Sequence, residues 1–102
     1  MANLKLKTLR CIRRQDLTGS DEPRIKVDDR QVWNGVVKKD DSVPIGVNVR
    51  FDDYVRVVAE EMNNSNPKQI GNDVIVRKSG NPKVLTFKTS GAHYEVDFEV
   101  TE

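Results

Sequence analysis

An all-β chain, folded as an eight-stranded antiparallel β-sandwich, is what this sequence of 102 residues predicts. Three observations carry that reading. The chain holds 15 Val and 5 Ile against 3 Ala and 5 Leu; β-branched residues suit pleated strands, whereas Ala and Leu lead the helix scale. Short apolar runs recur at a spacing of about 8–12 residues and are bounded by turn residues, the pattern of a sandwich or barrel. No stretch keeps a helical period. The length suits one domain over residues 1–102, since domains cluster at about 100–150 residues.

The first strand spans Leu4 to Arg13. Leu4 and Leu6 share one parity, and Leu9 and Cys11 share the other. A switch of parity inside a strand predicts a bulge near Thr8. Arg24–Val27 and Gln31–Val37 flank Asp28-Asp29-Arg30 and read as a hairpin. In Ile45–Phe51, the residues Ile45, Val47, Val49 and Phe51 lie on one face, with Asn48 and Arg50 on the other. Asp52-Asp53 turns the chain into Tyr54–Ala59, and Val74–Val76 and Val84–Lys88 follow. The last strand alternates most cleanly, with Tyr94, Val96, Phe98 and Val100 against His93, Glu95, Asp97 and Glu99. The longest break is 60–73, a polar stretch holding Pro67 and Gly71, and long ordered loops are disproportionately functional.

Composition excludes several functions. Seventeen Lys+Arg against 16 Asp+Glu leave a net charge of +1, without the basic excess of a dedicated nucleic-acid binder. One cysteine, Cys11, permits no internal disulfide, and it reads as core. One histidine, His93, argues against a histidine metal cage, and Ser90-Gly91-Ala92-His93 reads as a turn rather than a catalytic motif. With no paired acid and base at meaningful spacing, the chain is expected not to be an enzyme. Trp33 reads as a packing residue. No secretory leader and no run of about 18 apolar residues is present, so the chain reads as soluble, with no compartment indicated.

Charge is nevertheless uneven. The first 51 residues carry 11 basic and 7 acidic groups, and the last 51 carry 6 and 9. Lys5, Lys7, Arg10, Arg13 and Arg14 make the first strand basic. Such a row is expected to find cross-strand partners in Glu95, Asp97 and Glu99. If the eight strands alternate in direction, the connections 14–23, 38–44, 60–73 and 89–93 share one end of the sandwich. That end gathers Asp16, Asp21, Glu22, Asp40, Asp41, Glu60, Glu61 and Asp73. Carboxylates from several loops suit a hard cation such as calcium, which takes six to eight oxygen ligands.

Two segments carry a family resemblance. Asp16-Leu17-Thr18-Gly19-Ser20-Asp21-Glu22-Pro23-Arg24-Ile25-Lys26-Val27 resembles the first loop and following strand of C2 domains, whose pattern is Asp-Leu-x-Gly-x-Ser-Asp-Pro-Tyr-x-Lys-Val. Val55-Arg56-Val57-Val58, a polar loop and Gln69-Ile70-Gly71 resemble their third-loop region, which ends in Asp-Phe-Ile-Gly. With the strand order, the resemblance covers nearly the whole chain and is closer to a diverged bacterial C2-like module than to a signalling one. It implies calcium held by loop aspartates. Asp16 and Asp21 match the first-loop ligands. The third-loop positions fall on Glu60, Met62 and Lys68, or, shifted by one, on Glu61 and Asn63. The implied ligand set is therefore Asp16, Asp21, Glu60, Glu61 and Asn63. With one third-loop carboxylate in either register and Lys68 where an acid is expected, the resemblance implies weak single-site calcium binding, about 10⁻⁴–10⁻³ M, or none. Membrane docking is not expected, because Met62 is the only large apolar residue in that loop. The expected function is a non-enzymatic binding or accessory module of C2-like type that binds calcium weakly. The alternative is a metal-independent protein–protein interaction or structural module, using a sheet edge or the long loop.

Overall fold

The computed structural model describes residues 1–13, 21–38, 40–62, 67–89 and 91–102. Its eight strands are β1 (Ala2–Arg13), β2 (Pro23–Val27), β3 (Arg30–Asn34), β4 (Ser42–Phe51), β5 (Tyr54–Glu61), β6 (Lys68–Arg77), β7 (Val84–Lys88) and β8 (His93–Thr101). They form two four-stranded antiparallel sheets, ordered β4-β1-β8-β7 and β3-β2-β5-β6. The chain is a β-sandwich, as its composition and spacing predict.

The inward rows of the two sheets build the core. Leu4, Leu6, Leu9 and Cys11 of β1 meet Tyr94 and Val96 of β8, and Ile25, Val55, Val57, Ala59 and Val76 come from the other sheet. The parity switch in β1 is a bulge. Leu6 pairs with Phe98 and Thr8 with Asp97, so Lys7 is the extra residue. The bulge lets Leu6 and Leu9 both face the core, and it turns Lys7 outward. Across β4, Gly46 adopts φ +67° opposite the same irregularity.

Four expectations need correction. The third strand ends at Asn34, not Val37. Val37 is instead buried through an isolated bridge to Asp21, with both backbone N–H groups donating at 2.8 and 2.9 Å. The fourth strand begins at Ser42 rather than Ile45. The fifth runs on through Glu60 and Glu61. The sixth spans Lys68–Arg77 instead of Val74–Val76, so the break placed at 60–73 shrinks to 62–67 and Asp73 lies on a strand. Strand β6 escapes the alternation rule because it is bulged. Val57 pairs with Val74 but Ala59 pairs with Ile70, which sets Gly71-Asn72-Asp73 against Val58 alone. Gly71 takes φ +73° there. Gln69 Nε2 spans the bulge, donating to Gly71 O at 3.2 Å and Asp73 Oδ1 at 2.6 Å.

Candidate functional site

The strand ends converge as alternation requires. At one end, Cys11 N donates to Asp41 O at 2.9 Å and Asp40 N donates to Cys11 O at 2.7 Å, joining the end of β1 to the approach to β4. Met62 N donates to Glu22 O at 2.9 Å, joining the end of β5 to the approach to β2. Asp21 and Glu22 are the hub of this end. They touch the β3–β4 connection through Val37, the end of β5 through Glu61 and Met62, and the start of β8 through Tyr94.

Two carboxylates are buried here, Asp21 at 0% and Glu61 at 2% exposure. Burial of a carboxylate is unfavourable unless donors replace its water. The Tyr94 hydroxyl donates to Asp21 Oδ2. The backbone N–H of Glu22 donates to Glu61 Oε1 at 3.0 Å. Burial, then the hydrogen bond to Asp21 and its negative charge, hold the Tyr94 phenol well above its ordinary ionisation range, with smaller contributions from Cys11 and Glu61.

The structure thus separates the residues named from sequence. Asp21 and Glu61 come to the same end and point inward. Glu60 sits one residue from Glu61 in a strand, so it faces the opposite side of its sheet. There it meets Arg24, with Nη2 and Nε at 2.5 and 2.6 Å from Oε1. Asp16 and Asn63 lie outside the described residues. Among the described residues, no group of three or more His, Cys, Asp or Glu is arranged to hold a metal ion.

Sequence reasoning missed Tyr94 as a polar participant and read it only as part of the apolar face of the last strand. The usable signal was its inward parity in β8, because a buried tyrosine hydroxyl needs a partner. Asp21, one of the acids gathered at that end, supplies one. Two residues of the basic first strand meet the expected acids. Lys7 lies 3.4 Å from Glu99, and Arg10 lies 3.2 and 3.0 Å from Glu95 and Asp97. His93 is half-buried with Nε2 at 3.6 Å from Glu95 Oε2.

The opposite end holds a second polar knot. Asp28 and Asp29 both take positive φ, +50° and +67°, in the β2–β3 turn, where aspartate is among the residues that tolerate this conformation. Asp28 exchanges hydrogen bonds with the Arg56 backbone, both at 2.9 Å. The Arg56 guanidinium reaches Asp29 at 2.5 Å and Asp73 at 3.5 Å. This knot tightens a hairpin and lies on exposed surface.

No described helix is long and apolar enough to cross a membrane. No family model, no curated protein and no solved structure matches this chain.

Proposed function

We propose that this chain is a non-enzymatic, C2-like binding module that engages a protein partner without a resident metal. One observation carries this reading. Asp21 and Glu61, the two implied ligands that meet at the loop end, accept hydrogen bonds from Tyr94 and from the Glu22 backbone. Carboxylates used in this way fasten connections to the sandwich. Recognition then falls to the sheet edges, of which β4 is long, with ten residues, and β3 lies on the facing sheet. Edge strands are natural sites for an added strand from a partner.

A second reading keeps weak calcium binding. It is favoured by the burial of Asp21 and Glu61 at one end, where a cation would gain two anionic oxygen donors. One titration separates the two. A ligand that binds only the folded chain must raise its melting temperature. Under the metal-independent reading, millimolar calcium leaves the melting temperature and the amide spectra of residues 21–22 and 61–62 unchanged. A concentration-dependent rise that Asp21→Asn abolishes would overturn that reading and establish the second. For the partner, photocrosslinkers at Asn48 on β4 and at Gln31 on β3 are expected to trap one protein reproducibly in the producing cell. Failure at both edges and in the connection after Glu61 would overturn the placement.

A further inference from the structure

We propose that Asn34 is a fold-gated deamidation site: a position primed by its glycine neighbour for conversion to aspartate or isoaspartate, and held back by the β2–β3 hairpin. Asn34-Gly35 is the only Asn-Gly pair in the chain. The reaction needs no enzyme. The backbone nitrogen of the following residue attacks the asparagine Cγ and a C–N bond forms. The side-chain nitrogen then leaves as ammonia, carrying the proton given up by the attacking N–H. Water opens the resulting succinimide at either carbonyl, giving aspartate or a backbone routed through the β-carboxyl. Glycine favours this step because no side chain shields its nitrogen.

A side chain at position 35 would force the Trp33 indole to shift. A Cβ at Gly35 would lie 2.6 Å from Trp33 Cζ2 and 2.9 Å from Cη2. The indole packs against the core and lies over the glycine. Asn34 is exposed at the end of β3, and Gly35 follows it half-buried. The same hairpin restrains the chemistry. The Gly35 N–H donates to Pro23 O at 3.1 Å, which occupies the nucleophile. Gln31 Nε2 donates to Asn34 Oδ1 at 3.3 Å, which holds the electrophile. Reaction therefore requires local opening of β3, an edge strand of only five residues. Short edge elements open at lower free energy than the core.

Conversion would reach beyond its own residue. Asn34 is the register partner of Arg24, which already binds Glu60. A new carboxylate at 34 competes for that guanidinium. An isoaspartate adds one carbon to the backbone at the end of β3 and displaces the Gly35 N–H from Pro23 O.

The experiment is a time course at mildly alkaline pH on the folded chain and on the chain in urea, read by tryptic mass mapping. Cleavage after Arg30 and Lys38 releases 31–38, in which Asn34 is the sole asparagine. In urea, this peptide is expected to convert before every other asparagine-containing peptide, and Gly35→Ala is expected to slow it, with folding irrelevant to the comparison. In the folded chain the same conversion should slow by about tenfold or more, as local opening becomes limiting. Gln31→Ala, verified as folded by its melting curve, should speed it. Equal rates in the folded and urea-unfolded chains would overturn the gating, and an earlier-converting asparagine in urea would overturn the site.

Discussion

The hydroxyl of Tyr94 donates its hydrogen to Oδ2 of Asp21, tying the start of β8 to the connection that enters β2 from the facing sheet. The two residues are 73 positions apart in the chain, and both are fully buried. The bond joins the two layers at the end where the loops converge. It is the polar counterpart of the apolar rows beneath it.

Removing that donor while keeping the ring isolates its contribution. Tyr94→Phe preserves the packed aromatic face and deletes one hydrogen bond to a buried carboxylate. Bonds to charged acceptors contribute about 1.5–3 kcal/mol, so a loss in that range is expected. For a domain of this size the melting temperature should fall by about 4–8 °C per kcal/mol. Urea unfolding monitored by Trp33 fluorescence measures the change. An unaltered midpoint would show that the bond contributes nothing net.

The same pair sets the response to alkali. Burial and the Asp21 interaction raise the folded-state pKa of Tyr94 above the ordinary phenol value of 10.0. The unfolded chain therefore releases this proton first as pH rises. Stability depends on the difference in bound protons, so the contribution is intact below pH 10.0 and declines above it. Urea midpoints should fall as pH is raised above 10, and Tyr94→Phe should lose less over the same interval. Parallel declines in the two proteins would contradict this assignment.

On the outer face of the other sheet, Arg24 and Glu60 join β2 to β5 in register. Their side chains are only 20% and 16% exposed, which distinguishes them from the solvated pairs around Arg10. Exposed pairs contribute about 0–1 kcal/mol. The shielded pair should exceed that range. A double-mutant cycle of Arg24→Ala and Glu60→Ala is expected to give a coupling of about 1–2 kcal/mol. The corresponding cycle for Arg10 and Asp97 should give less than about 1 kcal/mol and vanish in high salt.

Legibility from sequence followed burial. The bulge in β1 could be read because four apolar residues, Leu4, Leu6, Leu9 and Cys11, report on which side faces the core. Strand β8 could be read because its two faces differ along its whole length. The first half of β6 could not, since Ile70 alone marks an inward position among Lys68, Gln69, Gly71, Asn72 and Asp73. At the loop end, the convergence of connections followed from strand alternation. The separation of Glu60 from Glu61 was hidden because both were taken as loop residues, where parity has no meaning. The burial of Asp21 and Glu61 was hidden for a further reason. Loop acids read as cation ligands, and their hydrogen-bond donors arrive from distant parts of the chain.

Gly71 and Gly80 offer a matched test of how closely the edges of the two sheets approach. Both adopt positive φ, +73° and +77°. An L-residue there costs roughly 1–2 kcal/mol from backbone sterics alone. Around Gly80 nothing lies within 4 Å of an added Cβ, so Gly80→Ala should cost only that amount. At Gly71 the added Cβ would lie 2.6 Å from the backbone nitrogen of Lys88 and 3.2 Å from its oxygen. Backbone cannot swing aside as a side-chain tip can, so β6 and β7 must separate. Gly71→Ala should therefore cost more than about 3 kcal/mol, in the range reserved for overpacking joined to a strained φ. Urea midpoints of the two variants measure the difference. Equal costs would mean that the edges of the two sheets are free to part at this point, and that the bulge in β6 is set by conformation alone.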